Sequence, residues 1–380
     1  MPLRAAILLA AVQASLTLAS EPSWWQELRQ QQSIGTAKAS KGCTAEHRTS
    51  LWEDSGDAFE GWVWLMIMDF MPVNRSFYIQ VPKNLGESPV PLLIGLHGQG
   101  FQADDYASTR DFGSFGRDLG FVSVFPQGLD DAIPGGADLG TGWNVGTAGD
   151  DQTCVTDQVT AGCYASCWLQ NRCGQCNWSG CYDERIFVSA VIDTVSSALC
   201  IDQTRIYVTG ESNGGMLAHF LVQSLPGTFA AVAPWFGLPL LGYGLGAEFE
   251  LVRDRQNCRQ TAMLQLHGRQ DDVMPLTGGV SGMGWVYEPL NKVQQGWAAV
   301  HDCDTAASLT STYWDGGDSK IECWEYKGCT SGRRIMRCYY EGAHMQVPDS
   351  GAADQITIWF LLQHRLGLAS KPKQAISAVV

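Results

Sequence analysis

The sequence predicts an α/β domain in which a mostly parallel β-sheet carries helices on both faces. Apolar runs alternate with segments of helical periodicity along most of the 380 residues. Several of these runs are apolar throughout, which is typical of strands that are covered on both sides. In addition, Ser212 stands between glycines at the junction of one apolar run and the next helical segment. A sharp strand-to-helix turn at this point would hold the serine hydroxyl exposed at the edge of the sheet.

The elements follow one another in the order that this fold requires. The predicted strands cover residues 76–81, 90–96, 121–125, 205–209, 229–233, 262–266 and 335–340. The predicted helices cover residues 186–199, 216–225 and 356–366, where apolar residues recur at helical spacing. In sheets of this kind the active site lies outside the carboxyl ends of the strands, so catalytic residues are expected in the loops that follow strands.

The start of the chain predicts a secreted protein. Arg4 precedes the apolar stretch 5–19, which ends in small residues and is too short to span a bilayer comfortably. We therefore expect a cleaved signal peptide over residues 1–20, with an uncleaved anchor as the alternative, and no membrane contact after its removal. The remaining chain divides into a lead-in, an α/β catalytic domain with a cysteine-rich insertion, and a tail, over residues 21–55, 56–368 (insertion 127–182) and 369–380.

Cysteine usage indicates the same oxidising environment. The chain has 13 cysteines, and a cytosolic protein has little use for so many. Six of them lie in the insertion, at Cys154, Cys163, Cys167, Cys173, Cys176 and Cys181. The spacing of Cys173 and Cys176 also fits a zinc site, but the segment contains no histidine, which favours disulfide bonds. The odd total leaves at least one thiol unpaired or bonded to another chain.

The net charge of −14 excludes some classes of partner. Nucleic acids and anionic membrane surfaces would repel such a chain, so neither is expected to bind it. Asn74 and Asn177 begin triplets that fit N-glycosylation acceptors, Asn74-Arg75-Ser76 and Asn177-Trp178-Ser179. Each is a candidate glycosylation site.

A serine nucleophile requires a base that takes its proton and a carboxylate that orients the base. His344 follows the strand predicted at 335–340, and Asp271 and Asp272 follow the strand predicted at 262–266. Among the seven histidines, His344 fits the chain order serine, aspartate, histidine that is typical of α/β-hydrolases. Spacing alone does not separate Asp271 from Asp272, and either could instead cap a turn.

A tetrahedral intermediate needs fixed hydrogen-bond donors for its negative oxygen. One donor is expected to be the backbone N–H of Asn213, directly after the nucleophile. The other is expected from the loop after the strand at 90–96, at Gly98 or Gln99. The glycines of that loop equally fit a plain tight turn.

These motifs resemble those of a known group, the secreted feruloyl esterases, acetylxylan esterases and polyhydroxybutyrate depolymerases of the α/β-hydrolase superfamily. The resemblance spans about residues 72–367, and its strongest part is the segment 205–216, Arg-Ile-Tyr-Val-Thr-Gly-Glu-Ser-Asn-Gly-Gly-Met. Further matching segments are 91–98, 118–127, 142–144 and 229–234.

The resemblance implies roles for the positions that spacing leaves open. Members of the group read His-Gly, two residues, Asp and then a proline four residues further on, which fits Asp271 with Pro275 and not Asp272. It also implies that His344 is the base. The chain departs from the group beside that histidine, where Ala343 replaces a glycine and the segment 345–348, Met-Gln-Val-Pro, lacks the tryptophan of the usual Trp-Pro pair.

We therefore expect a secreted serine carboxylic-ester hydrolase that works through an acyl-enzyme and needs no metal or organic cofactor. The expected substrate, which the resemblance implies, is a feruloyl or acetyl ester on a cell-wall polysaccharide. The alternatives are a polyhydroxybutyrate depolymerase, a peptidase of the same fold, and a secreted binding protein that keeps the fold without catalysis.

Overall fold

The computed structural model describes most of the chain between residues 36 and 367. The described ranges are 36–44, 59–83, 85, 88–131, 140–146, 152–155, 164–172, 180–244, 258–282, 284–304, 306–311 and 321–367. Their strands are β1 (Phe59–Met68), β2 (Pro72–Val81), β3 (Val90–Leu96), β4 (Val122–Pro126), β5 (Ile201–Glu211), β6 (Ala231–Trp235), β7 (Ala262–Gly268), β8 (Gly279–Val280), β9 (Val286–Tyr287), β10 (Ala307–Ser311), β11 (Ile321–Tyr326) and β12 (Ile335–Tyr340). Their α-helices are α1 (Ala103–Thr109), α2 (Phe112–Leu119), α3 (Ala165–Leu169), α4 (Glu184–Ala198), α5 (Asn213–Ser224), α6 (Leu290–Val300) and α7 (Ser350–Leu362).

Ten of these strands form one sheet in the order β1-β2-β4-β3-β5-β6-β7-β12-β11-β10. The central strands from β4 to β12 pair in parallel, and the two strands at each end pair antiparallel. The prediction of a mostly parallel sheet is therefore confirmed. Because parallel strands have their carboxyl ends at one edge, β3, β5, β7 and β12 deliver the loops that follow them to a common place.

Helices cover the sheet on both faces, as the side chains of β3 illustrate. Leu92 and Ile94 belong to an apolar cluster that includes residues of α4, α5 and α6. Leu93, which lies between them, belongs to a second cluster with residues of α1, α2 and α7. Successive side chains of a strand point to opposite faces, so each cluster covers one face of the sheet. Each fully buried side chain of this kind contributes about 1.5–3 kcal/mol to stability.

The predicted strands all overlap observed ones, and β3 and β12 have the predicted bounds. The predicted helices overlap α4, α5 and α7. β1 is not among the predicted strands because its outward positions are as apolar as its inward ones, which removes the alternation that identifies a half-buried strand. Trp64, Met66 and Met68 on its outer face are 71%, 59% and 67% exposed.

Residues 36–44 pack against the domain, although they fall within the predicted lead-in, 21–55. Cys43 forms a disulfide bond with Cys200, which directly precedes β5. Ser40 hydrogen-bonds to the main chain beside that disulfide. This part of the lead-in is therefore attached to the sheet, while the domain bounds as a whole stay a prediction.

Other cysteines also form disulfide bonds within the described ranges. The bonds join Cys167 to Cys181, Cys303 to Cys329 and Cys323 to Cys338. Cys154 is disulfide-bonded as well. The expected use of cysteine in disulfide bonds is thus confirmed for these residues.

Several predictions fall on residues outside the described ranges. They are the signal peptide at 1–20, the tail at 369–380, the zinc alternative at Cys173 and Cys176, and the glycosylation triplet at Asn177. Asn74, the other candidate acceptor, lies exposed on β2. Among the helices that the structure describes, none is long and apolar enough to span a membrane.

Candidate active site

Ser212 occupies a sharp turn between β5 and α5. Its backbone adopts φ 51° and ψ −118°, a conformation that non-glycine residues rarely adopt and that is found at functional sites. The backbone N–H of Ser212 donates to Trp235 O at 3.0 Å, which holds the turn against β6. A Cβ at Gly210 or Gly214 would overlap with the main chain of Gly214 or Leu96. Only glycine therefore fits at these two positions.

His344 connects this serine to a buried carboxylate. It lies in the loop after β12, and Asp271 lies in the loop after β7, the neighbouring parallel strand. His344 Nε2 is 2.8 Å from Ser212 Oγ, and His344 Nδ1 is 2.8 Å from Asp271 Oδ2. An ionised carboxylate can only accept, so Nδ1 carries the hydrogen and Nε2 is left to accept the serine proton. Asp272, in contrast, is exposed.

Both oxygens of the Asp271 carboxylate are held by hydrogen bonds. Oδ1 accepts from the backbone N–H groups of Val273 at 3.0 Å and Met274 at 2.8 Å. Oδ2 lies 3.3 Å from His267 Nε2 in addition to its contact with His344. Burial by itself raises the pKa of this carboxyl, but the hydrogen bonds from His267 and His344 outweigh burial and hold the pKa below its ordinary value. The group stays ionised and keeps the His344 ring in one tautomer.

A second buried carboxylate, Glu211, directly precedes the serine. Arg110 Nε lies 3.0 Å from Glu211 Oε1, and Arg110 Nη1 lies 3.6 Å from Asp354 Oδ1. Burial raises the pKa of Glu211, while the charges of Arg110 and His344 oppose the increase. Burial also raises the pKa of Asp354, to about 7. One guanidinium is thus shared by two buried carboxyl groups, which ties α7 to the end of β5.

Two of the residues predicted to stabilise the oxyanion, Asn213 and Gly98, lie directly beside Ser212. Asn213 is the first residue of α5. A Cβ at Gly98 would lie 3.5 Å from Ser212 Cβ, so the loop after β3 passes directly beside the serine. Gln99 follows in the same loop, and its Nε2 donates to Tyr164 OH at 3.2 Å. That backbone N–H groups here stabilise an oxyanion stays a prediction.

Trp143 connects the two sides of this region. Its backbone N–H donates to Asn213 Oδ1 at 2.7 Å, and its Nε1 donates to His97 O at 2.8 Å. His97 accepts from the Gly128 N–H through Nε2 at 2.8 Å and donates from Nδ1 to Gly98 O at 2.7 Å. Burial lowers the pKa of His97 to about 4, so at neutral pH the ring is uncharged and keeps both hydrogen bonds.

The supporting roles of Trp143, His97 and His267 are not predicted from the sequence. Trp143 and His97 lie in segments that match the esterase group, which indicates a role near the site but does not identify the residues they contact. His267 belongs to the His-Gly pair that locates Asp271. Trp143 finds its partners in loops far away in the chain, whereas those of His267 lie within seven residues of it; in neither case does residue spacing show which side chains turn toward each other.

The arrangement can perform nucleophilic chemistry with protein side chains. A hydroxyl that hydrogen-bonds to a neutral imidazole, which in turn donates to a carboxylate, can form a nucleophile at a carbonyl carbon. Within the part of the chain that the structure describes, no group of three or more His, Cys, Asp or Glu side chains is placed to hold a metal ion.

Curated proteins with similar sequences bear esterase names, although no protein-family model matches the chain. The chain is 25% identical over 168 residues to acetylxylan esterase A of Emericella nidulans, which covers 44% of each protein. It is 24% identical over 200 residues to feruloyl esterase B of Talaromyces funiculosus, covering 52% of this chain and 46% of that protein. It is 23% identical over 273 residues to feruloyl esterase B of Piromyces equi, covering 70% and 42%. The chain thus spans less than half the length of these relatives.

Two solved structures also match. An acetyl xylan esterase from Aspergillus awamori has a TM-score of 0.49 at 16% identity, covering 80% of this chain and 99% of that chain. A ferulic acid esterase has a TM-score of 0.44 at 12% identity, covering 81% and 98%. The sheet of this chain and its strand–serine–helix turn are those of an α/β-hydrolase. The sequence matches confirm the resemblance that the motifs indicate: the chain is similar to the acetylxylan and feruloyl esterase group of the α/β-hydrolase superfamily.

Proposed function

We propose that this protein is a secreted serine carboxylic-ester hydrolase that removes feruloyl or acetyl groups from a cell-wall polysaccharide. The observation that carries the proposal is the hydrogen-bonded chain from Ser212 through His344 to Asp271, with 2.8 Å at both contacts. A hydroxyl, an imidazole and a buried carboxylate in this order activate serine for attack on a carbonyl carbon.

In the first half-reaction, Ser212 Oγ attacks the carbonyl carbon of the ester while its proton passes to His344 Nε2. The Asp271 carboxylate accepts from Nδ1 and stabilises the imidazolium that forms. The carbonyl oxygen gains a negative charge, which the backbone N–H groups of Asn213 and of Gly98 or Gln99 stabilise. When the tetrahedral intermediate collapses, the C–O bond to the alcohol breaks and the imidazolium returns the proton to the departing oxygen.

In the second half-reaction, water attacks the ester that now joins the acyl group to Ser212. His344 Nε2 takes a proton from the water and then gives it to Ser212 Oγ as the acid departs. The complete cycle consumes one water and releases one acid and one alcohol, and its steps use no metal or organic cofactor.

The substrate class is proposed from the relatives and from the surroundings of the serine. The relatives named above are esterases of acetylxylan and of feruloyl esters. The Phe101 ring, which is 43% exposed, lies beside Gly98, and the Phe236 ring packs edge-on against His344 with 5.0 Å between ring centroids. Aromatic surface of this kind suits an aromatic or small apolar acyl group. Neither a polyester substrate nor a purely binding function has a comparable observation in its favour.

Secretion is proposed from the disulfide bonds together with the apolar start of the chain. Disulfide bonds form and persist in oxidising compartments outside the cytosol. A signal peptide over residues 1–20 would deliver the protein to such a compartment. Mass spectrometry of the secreted protein tests this, because its first residue is then expected close to position 20 or 21.

The test of the activity is hydrolysis of methyl ferulate and acetylated xylan by the purified protein beside Ser212→Ala. We expect the wild type to release the acids and the variant to lose about 10⁴-fold or more in kcat/KM at an unchanged melting temperature. Polyhydroxybutyrate serves as the third substrate, and its exclusive turnover would replace the polysaccharide ester in the proposal. A Ser212→Ala variant that keeps more than about one hundredth of the wild-type rate would contradict the nucleophile.

A further inference from the structure

A chain of buried polar side chains connects Asp271 to the helix that begins at the nucleophile. His267 Nε2 lies 3.3 Å from Asp271 Oδ2 and 2.9 Å from Met274 O. On the other side of the ring, His267 Nδ1 lies 3.4 Å from Gln265 Nε2. Gln265 Oε1 lies 2.9 Å from Nε2 of His219, a residue of α5. His267 and Gln265 are 0% exposed and His219 is 1% exposed, so water does not compete for these contacts.

The hydrogen positions in this chain follow from its fixed partners. Met274 O can only accept, so His267 Nε2 carries a hydrogen, and the amide nitrogen of Gln265 can only donate, so His267 Nδ1 is an acceptor. Gln265 Nε2 supplies the hydrogen for Nδ1 and also donates to Gly237 O at 3.1 Å. Gln265 Oε1 then accepts from His219 Nε2, and burial lowers the pKa of His219 to about 4, which keeps that ring neutral. The one hydrogen on His267 Nε2 therefore lies between two acceptors, Met274 O at 2.9 Å and Asp271 Oδ2 at 3.3 Å.

We propose that His267 is a positioning residue for the esterase reaction, which fixes the Asp271 carboxylate and shares Oδ2 with His344. The inference rests on the proposed function and deepens it. With Oδ1 held by two backbone N–H groups, the contacts left to Oδ2 are His344 Nδ1 at 2.8 Å and the His267 hydrogen that Met274 O also accepts. The hydrogen bond from His267 also draws charge from Oδ2, so the imidazolium of His344 receives less stabilisation than it would from an unshared oxygen.

The test compares His267→Leu, which removes the donor, with His267→Gln, whose amide N–H can donate from nearly the same place. We expect His267→Leu to lower kcat by about tenfold or more, because the carboxylate and the base lose their fixed orientation. It should also move the acid limb of the profile of kcat/KM against pH upward by about half a pH unit. Oδ2 then accepts from His344 alone and stabilises its imidazolium more strongly. His267→Gln should recover most of both quantities, and KM for methyl ferulate should stay within about twofold in each variant.

His301→Leu is the matched control. His301 is likewise a buried histidine, at 0% exposure, but its Nδ1 lies 2.7 Å from Ser331 Oγ, away from the strand ends that carry the proposed site. This substitution should lower the melting temperature and leave the acid limb in place. An unmoved acid limb in His267→Leu, or a His267→Gln variant that behaves like His267→Leu, would overturn the proposal.

Two further variants keep the test decisive. If His267→Leu does not fold, Gln265→Leu removes the donor to His267 Nδ1, and we expect a smaller upward shift of the acid limb. The absence of any shift there would also overturn the proposal. Loss of activity in Ser212→Ala with an unmoved limb in the other variants rejects the role of His267 alone, whereas an active Ser212→Ala rejects the proposed function as well.

Discussion

The central strands of the sheet and its outer strand β1 differ in what covers them. β5, β6 and β7 are buried along nearly their whole length. β1 pairs with β2 at the end of the sheet and presents Trp64, Met66 and Met68 to solvent. A strand buried on both faces has one register that packing allows, whereas an edge strand is held from one side only.

The difference explains where the proposed catalytic residues lie. Ser212, Asp271 and His344 follow β5, β7 and β12, whose spacing the buried core fixes. A displacement of about 1 Å between reacting groups can cost about 10²-fold in rate, so a site needs supports of this kind. We therefore expect substitutions in the central region to change activity or stability strongly and those on the outer face of β1 to change neither.

The largest effect is expected at the carboxylate. Asp271→Asn should lower kcat for methyl ferulate by about 10³- to 10⁴-fold, because an amide can offer its N–H to His344 and reverse the ring tautomer. Asp272→Asn, the adjacent and exposed control, should stay within about twofold of the wild type. Steady-state kinetics at neutral pH measure both. Equal losses in the two variants would remove Asp271 from the site.

A smaller but still large effect is expected in the core of β3. Leu93 is 1% exposed, and Leu93→Ala should lower the free energy of unfolding by about 2–5 kcal/mol through the cavity it creates. Met66→Ala on the outer face of β1 should change it by less than about 0.5 kcal/mol. Urea denaturation followed by circular dichroism compares the two. A Met66→Ala variant as unstable as Leu93→Ala would show that β1 is packed like a central strand.

The next effect in size is expected at the glycines of the turn that holds Ser212 between β5 and α5. A Cβ at Gly214 would overlap with the carbonyl oxygens of Leu96 and His97, whereas a Cβ at Gly282 would meet nothing within 4 Å. Gly214→Ala should therefore cost about 1–3 kcal/mol of unfolding free energy and displace the Ser212 hydroxyl. Gly282→Ala should cost less than about 0.5 kcal/mol and leave kcat unchanged. Identical melting temperatures for the two variants would mean that the turn adapts to the added methyl group.

The contrast between the buried central strands and β1 also explains how much of the fold can be predicted from the sequence. The central strands can be predicted because burial on both faces requires continuous apolar runs, and β3 and β12 have the expected bounds. β1 cannot, because no packing requirement makes its outer face polar. The predicted start of α5 at Met216 is three residues late because the helix begins directly after Ser212, inside a glycine-rich turn that has no apolar periodicity.

The proposed catalytic residues can be predicted only in part, because the sequence does not show which way each side chain turns. The chain order and the strand ends lead to Ser212 and His344 as the proposed nucleophile and base, and the structure places their side chains 2.8 Å apart. Asp271 and Asp272 could not be separated by spacing, because the distinction depends on which side chain turns into the protein. The contact of His267 with Asp271 has no recognisable sequence pattern. Gln265 and Met274, which also contact His267, stand among apolar residues in the sequence.

The smallest effect is expected at His301. It is a polar side chain that is fully buried, whereas β1 has apolar side chains exposed to solvent. Burial, with smaller contributions from Arg259 and Arg333, lowers its pKa to about 3, whereas a histidine of the unfolded chain has a pKa of about 6.5. Between these pH values the unfolded chain binds a proton that the folded protein does not. The stability contributed by the neutral ring is therefore fully present above about pH 6.5 and is lost as the pH falls toward the folded value.

His301→Leu removes this contribution, so the slope of unfolding free energy between about pH 4.5 and 6 should decrease by about 1.4 kcal/mol per pH unit relative to the wild type. Urea titrations of both proteins across that range measure it, and the other titrating groups cancel because both proteins share them. Equal slopes would mean that His301 already carries a proton in the folded state, and so that water reaches it as it reaches the side chains of β1.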